Sequence, residues 1–164
     1  MVMRIIKNLL SGTWKTRRLF PADTLNAIEL AIKNSEHQHT AQLRFVVEHG
    51  LDLFPLLRGL TARQRAIEVF SEYRVWDTER NNGVLIYLLL SERDIEIIAD
   101  RGISAHVPLE EWGRICGTME KLFRAGEFRE GVLSGMAEIS KHLVRLYPAG
   151  QQSLNELENA PVVL

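Results

Sequence analysis

The stretch WDTERNNGVLIYLLLSERDIEIIADRG, residues 76–102, decides the fold. Residues 84–90 are continuously apolar, as in a strand that is covered on both faces of a sheet. The polar residues SERD then form a tight turn into a second apolar run, IEIIA. The stretch therefore predicts two neighbouring antiparallel strands joined in a hairpin.

Periodic patterns on both sides of the hairpin predict the other elements. Helices are indicated by apolar residues three and four positions apart, and one of them begins with a capping box made by Thr61 and Gln64. The predicted order is a helix in residues 21–39, a strand in 41–50, an apolar connection in 51–60, a helix in 61–75, the two strands of the hairpin, and helices in 108–126 and 128–147.

This order predicts an α/β fold, a single-domain three-layer sandwich in which helices flank a small mixed β-sheet. The first two strands and the helix between them should form a right-handed parallel crossover, and the third strand returns antiparallel. We expect three segments: a basic arm in residues 1–20, the α/β domain in 21–148, and a tail in 149–164. The last apolar residues of the tail are expected to dock as an edge strand.

Composition and charge exclude several classes of protein. The chain is 46% hydrophobic and 25% charged, which excludes a wholly disordered chain. The single cysteine, Cys116, cannot form an internal disulfide and is expected to be buried. Residues 1–20 contain five basic and no acidic residues, whereas the rest contains 15 basic and 21 acidic residues. A body this acidic argues against a nucleic-acid partner.

The arm, residues 1–20, is a basic amphipathic segment. Ile5, Ile6 and Leu9 are helically spaced near clustered Lys and Arg, a pattern that suits an anionic membrane surface or a membrane protein as partner. The alternative is a terminal helix packed on its own domain. The apolar runs of the arm are too short for a signal peptide or a membrane span, so we expect a cytoplasmic protein. If the arm binds a membrane, the protein is expected to be peripheral at the inner membrane.

Three polar clusters should meet at one end of the predicted sheet. Residues 35–39 precede the first strand, residues 77–82 precede the parallel second strand, and Asp100 with Arg101 follows the antiparallel third strand. The usual rule for parallel strands places ligands at the opposite end, so this expectation depends on residue chemistry alone.

The oxygen-rich side chains in these clusters are candidate metal ligands. Asp77, Glu79, Asn82 and Asp100 offer carboxylate and amide oxygens, which suit calcium or magnesium better than zinc. The alternative is structural: Asp77 caps the preceding segment, and Asn82 with Gly83 shapes a turn.

Other candidate sites have weaker support. His37 and His39 would point to opposite sides of an extended loop, which disfavours zinc, and no nucleophile motif supports a hydrolytic set of Ser35, His37 and Asp100. No phosphate-binding glycine motif is present, which argues against nucleotide cofactors in their usual cradles.

The sequence resembles the TPM domain family. The resemblance is carried by VWDTERNNGVLIYLLLSERDIEIIADRGI, by the preceding TARQRAIEVFSEYRV and by the later EEWGRICGTMEKLFRAGEFREGVLSGM, and residues 20–48 look like the start of its short bacterial branch. It implies an α/β sandwich with an acidic pocket for a divalent ion, usually calcium, and weak phosphatase activity in some members. The pocket maps to Asp77, Glu79, Asn82 and Asp100, while position 42 is Gln where an acid is expected.

Two functions are therefore expected. The first is a TPM-like domain that binds a divalent cation at the sheet edge and hydrolyses phosphate esters slowly through a metal-activated water. The alternative is a non-enzymatic interaction module at the cytoplasmic face of a membrane, attached by residues 1–20.

Overall fold

The computed structural model describes residues 2–9, 12–150 and 155–164. The predicted arm and tail also include residues 1, 10, 11 and 151–154, which lie outside the described residues. In chain order the elements are α1 (Val2–Leu9), α2 (Thr13–Leu19), α3 (Ala22–Glu36), β1 (Gln42–Glu48), α4 (Leu53–Leu57), α5 (Ala62–Glu72), β2 (Gly83–Leu89), β3 (Asp94–Ala99), α6 (Arg101–Ser104), α7 (Leu109–Ala125), α8 (Phe128–Leu146) and β4 (Val162–Val163).

The four strands form one mixed sheet in the order β3-β2-β1-β4. Strands β1 and β2 are parallel, in a register that pairs Gln42 with Gly83, and β2 and β3 form the antiparallel hairpin. Strand β4 pairs with β1 in parallel, so the end of the tail is an edge strand. The predicted α/β fold with a crossover and a hairpin is confirmed.

Alternating side chains of the central strands face two separate apolar cores. On one face, Phe45 and Ile86 are buried beneath α3, α7 and α8. On the other face, Val46, Leu85 and Tyr87 are buried beneath α5 together with α4. This period of two, with both faces covered, explains why β2 is continuously apolar.

Two predicted helix termini are confirmed. Thr61 accepts a hydrogen bond from the Gln64 backbone N–H, and the Gln64 side chain accepts one from the Thr61 backbone, which completes the capping box at α5. Gly126 ends α7 in the left-handed conformation, with φ of 88°.

Two short helices differ from the prediction. The segment expected to be an apolar connection contains α4, whose Pro55 is near the helix start, where a missing N–H breaks no helical hydrogen bond. Asp100 does not only end a strand: its side chain accepts a hydrogen bond from Arg101 N and so caps α6. Among the described residues, no helix has the length and apolar character needed to cross a membrane.

Candidate functional site at the polar edge of the sheet

The polar clusters before β1, before β2 and after β3 meet at one end of the sheet. The Asn82 side chain donates to the Thr40 carbonyl over 3.0 Å, and Asn82 O accepts from Gln42 N over 3.2 Å. Asp100 N donates to Gly83 O over 2.9 Å. The expected convergence is therefore confirmed for these segments, which we call the polar edge: residues 39–42, 80–83 and 100–102.

Three buried polar atoms at the polar edge have no hydrogen-bond partner among the described residues. They are Asn82 Oδ1, Asp100 Oδ2 and His39 Nε2. Asn82 and His39 are each only 1% exposed. Leaving a buried polar atom without a partner costs about 1–3 kcal/mol, so the polar edge has unused capacity for a ligand or for buried water.

His39 is a neutral imidazole whose free nitrogen accepts hydrogen bonds. Its Nδ1 lies 3.1 Å from the carbonyl oxygen of Ala41, so we assign the proton to Nδ1. Burial lowers the pKa of His39 to about 4, which keeps the ring neutral at pH 7. A ring that donates from one nitrogen to a backbone carbonyl and leaves the other bare resembles a metal-binding histidine.

Asp77 and Glu79 lie on the exposed loop that leads into β2. Asp77 is more than half exposed, and its carboxylate is 3.9 Å from Arg74. It lines a shallow cleft with Arg44, whose side chain is buried. Glu79 is exposed, and its backbone N–H donates to the Glu156 carboxylate over 2.8 Å.

The structure does not gather all the predicted ligands. Within the described part of the chain, no group of three or more His, Cys, Asp or Glu residues is arranged to hold a metal ion. The backbone segments that hold Asn82 and Asp100 meet at the polar edge, while Asp77 lies near Arg74 of the same loop and Glu79 N donates to Glu156 of the tail. The four-ligand site stays a prediction.

Basic and phenolic groups that the sequence did not single out as site residues also lie at the polar edge. Arg101 Nε donates to Asn81 Oδ1 over 2.9 Å, and Arg80 donates to the Thr40 hydroxyl over 3.3 Å. Burial, and then the nearby charge of Asp100, raise the pKa of Tyr147. Arg80 was visible within the opening stretch, whereas Tyr147 arrives from the end of α8 and gives no local signal.

The alternative histidine and serine sites are not assembled. Ser35 Oγ donates to the Ile32 carbonyl over 3.0 Å, and His37 Nδ1 lies 2.6 Å from the Lys33 carbonyl. His37 is exposed while His39 is buried. The side chains of Ser35 and His37 are both hydrogen-bonded to backbone carbonyls near the end of α3.

Gln42 has a structural partner in the tail. Its side-chain oxygen accepts hydrogen bonds from the backbone N–H groups of Glu156, at 2.8 Å, and Leu157, at 3.2 Å. An oxygen acceptor is what this position needs, and an amide supplies it without adding a negative charge beside Glu36, whose pKa burial already raises.

The sequence model of the TPM domain matches residues 15–142. No curated protein matches the chain significantly. Among solved structures, the BA42 protein from the psychrophilic bacterium Bizionia argentinensis is 26% identical with a TM-score of 0.72, and the alignment covers 87% of this chain and 93% of that one. The N-terminal domain of a P. gingivalis protein shares the fold at 17% identity and a TM-score of 0.64, over 82% of this chain and 83% of that one.

The family match extends over most of the chain and contains the whole hairpin, most of both cores and the polar edge. The solved structure with the higher identity agrees with it over nearly the full length of both chains. The chain belongs to the TPM domain family.

Proposed function

We propose that this TPM domain binds a divalent cation, calcium or magnesium, at the polar edge through Asn82 and Asp100. The observation that carries the proposal is the pair of buried oxygen atoms, Asn82 Oδ1 and Asp100 Oδ2, that lack a partner among the described residues. A hard cation takes oxygen ligands of this kind, amide and carboxylate. Asp77 and Glu79, on the loop before β2, are the proposed additional ligands.

Slow hydrolysis of phosphate esters is the activity proposed for this site. When bound, a divalent cation supplies Lewis-acid activation of water and of a phosphoryl oxygen. Arg80 and Arg101, both exposed beside the edge, would hold the anionic ester.

Turnover is expected to be slow because the described residues offer no activated nucleophile. Burial, followed by the nearby carboxylates, raises the pKa of the Cys116 thiol to about 12, which leaves it protonated and inert. Ser35 is hydrogen-bonded to its own helix. His39, with a pKa of about 4, is too weak a base to work efficiently at pH 7.

Calcium should raise the melting temperature of the wild-type protein. An ion at about a hundred times its dissociation constant stabilises the folded state by about 2.7 kcal/mol. For a domain of this size that corresponds to a shift of roughly 5–10 °C. Magnesium should stabilise less. Asp100→Asn should remove most of the shift, and Asp77→Asn or Glu79→Gln should reduce it if those residues complete the site. Scanning calorimetry with and without millimolar ion measures the effect.

Two features make this experiment specific. Asparagine caps helices as well as aspartate does, so Asp100→Asn keeps the α6 cap while it removes the charge. Asp52→Asn removes an exposed carboxylate next to α4, at the other end of the sheet, and should leave the calcium response unchanged. A wild-type melting curve that calcium does not move contradicts the cation site. Fast, calcium-dependent hydrolysis of an aryl phosphate that Asp100→Asn abolishes would contradict only the expected slow rate.

A second function is favoured by the surface of the arm: attachment to the cytoplasmic face of an anionic membrane. Ile5 packs on the domain, but Met3 is 67%, Leu9 56% and Trp14 64% exposed. Lys and Arg near an anionic surface contribute about 1 kcal/mol each. We therefore expect salt-sensitive binding to phosphatidylserine vesicles, strongly reduced when Lys15, Arg17 and Arg18 are all replaced by Gln. Substitution is preferable to deletion of residues 1–20, since Phe20 is buried in the core.

A further inference from the structure

Helix α1 is fixed to the end of the sheet at which β1 and β2 finish. The Asn8 side chain accepts hydrogen bonds from Leu51 N over 2.8 Å and from the Ser91 hydroxyl over 2.7 Å. Arg4 Nε pairs with the Glu92 carboxylate over 2.8 Å. Helix α1 is therefore positioned by the body of the domain, opposite the polar edge.

Helix α4 packs beside α1 and exposes a second set of large apolar side chains. Leu53 is 46%, Phe54 62% and Leu57 57% exposed, while only Leu56 turns inward to the core at 2%. Together with Met3 and its neighbours on α1, these residues give this end of the molecule a concentration of exposed apolar groups. Such patches mark binding surfaces for proteins or membranes.

Positive charge accompanies this apolar surface. Lys7, Arg58 and Arg93 form no ion pair with any residue that the structure describes, and the Arg58 guanidinium lies 4.2 Å from the centre of the Phe54 ring. The acids of α1, of α4 with its flanking residues and of the turn are Asp52 and Glu92, and Asp94 directly follows the turn as the first residue of β3. Of these, Glu92 is paired with Arg4. Apolar side chains with an excess of unpaired cations suit an anionic bilayer.

A cleft beside the turn is suited to a lipid phosphate. A cleft of about 460 Å³ is lined by Ile6 and Lys7 from α1, by Lys15 from α2, and by Ser91, Glu92 and Arg93 from the turn between β2 and β3. The Glu92 carboxylate in this lining is paired with Arg4. Three cations from separate segments therefore border one space next to the apolar face of α1, where a headgroup would sit if that face entered the bilayer.

We propose that α1, α4 and the turn of residues 90–93 form one surface that binds an anionic lipid bilayer, with α4 inserting beside the arm. This inference rests on the membrane attachment proposed above and adds α4 and Arg93, which belong to the body of the domain. It also sets an orientation. Because β1 and β2 have seven residues each, the polar edge lies roughly 20 Å from this surface and faces away from the bilayer.

The test is co-sedimentation of the full chain with phosphatidylcholine vesicles that contain or lack phosphatidylserine. Phe54→Ser with Leu57→Ser should weaken binding to the anionic vesicles at least about tenfold, because apolar surface that enters the bilayer is lost. The matched control is Leu30→Ser with Leu109→Ser, which removes equally exposed apolar groups, 58% and 66%, from helices on the opposite face. Arg93→Gln should weaken binding and reduce its salt dependence.

The variants separate this inference from the attachment by the arm. If replacing Lys15, Arg17 and Arg18 abolishes binding while the Phe54 and Leu57 variant binds like wild type, the arm attaches the protein and the role of α4 is wrong. If the intact protein binds neither type of vesicle, both proposals are wrong. Equal loss in the Leu30 and Leu109 control would also overturn the proposed surface. All the substituted side chains except Lys15, which is partly buried, are exposed, and unchanged melting temperatures will show that each variant is folded.

Discussion

Gly83→Ala is expected to destabilise the protein by about 3 kcal/mol or more, the upper part of the range for overpacking a core. Gly83 is the first residue of β2, and an added Cβ would lie 1.9 Å from the carbonyl oxygen of Val75. A backbone carbonyl cannot rotate away as a flexible side chain can, and the Val75 residue that carries it is buried. The strand or the loop before it would have to shift, and the shift would disturb the pairing of Gly83 with Gln42.

Chemical denaturation of Gly83→Ala and of a helical glycine variant measures this effect. Gly113 lies within α7, and an added Cβ there meets no atom within 4 Å. Gly113→Ala should therefore stabilise the protein by about 0.5–1 kcal/mol, because alanine favours the helix. The two substitutions add the same methyl group. Opposite signs of the change in the free energy of unfolding would therefore identify the contact with Val75 as the cause of the loss in Gly83→Ala. A Gly83→Ala protein as stable as wild type contradicts the close approach.

The main elements were predictable because apolar periodicity and turn chemistry agree in this chain. Continuous apolar residues in β2 reflect burial on both faces, and Thr61 with Gln64 marks the start of α5 without tertiary information. Helix α4 was missed because Pro55 is typical of connections, yet proline is tolerated near the start of a helix. Phe54 of this helix is exposed, so it does not add to the helically spaced buried residues by which a helix is recognised in a sequence.

The candidate site was predictable only as far as strand direction determines it. One parallel and one antiparallel pair of strands place Asn82 and Asp100 at the same end, and the sequence indicates both pairings. The direction of the loop before β2 was not predictable, since Arg74 and Asn81 adopt positive φ angles of 52° and 50°, which are uncommon for residues other than glycine. Those turns determine where Asp77 points.

The free nitrogen of His39 was also beyond sequence reasoning. It depends on which ring nitrogen meets the Ala41 carbonyl and on the burial of the whole residue, and neither has a signature in the chain. Burial also shifts the pKa of His39, so the free energy of unfolding depends on pH through this residue. Asp94 is the second residue whose shifted pKa has this effect.

Asp94→Asn should stabilise the protein at pH 8 and have little effect at pH 4. Burial, with the neighbouring charges of Glu96, Glu120 and Glu92 adding to it, raises the pKa of Asp94 from 3.8 to about 6. The folded state therefore holds a proton that the unfolded state has lost between these two pH values. The stabilising effect of that proton is present below the unfolded pKa and is lost as pH rises through the folded pKa. Above pH 6 the cost reaches at most about 3 kcal/mol, at 1.36 kcal/mol per pKa unit, and asparagine avoids it.

His39 has the opposite dependence, so the two residues mask each other in the wild type. Its pKa is lowered from 6.5 to about 4 by burial, and the stability that depends on a neutral ring is present above pH 6.5 and is lost as pH falls toward 4. As pH falls through that window, the stabilising contribution of Asp94 rises by about as much as that of His39 falls. The two changes offset each other, so these two groups should change the wild-type free energy of unfolding little. Removing Asp94 exposes the loss from His39, so the free energy of unfolding of Asp94→Asn, measured by urea titration at successive pH values, should fall by about 3 kcal/mol between pH 7 and pH 4. Parallel curves for wild type and Asp94→Asn would contradict a raised pKa at Asp94, because the difference between the two curves contains the titration of that carboxylate and its effect on the acidic neighbours Glu96, Glu120 and Glu92.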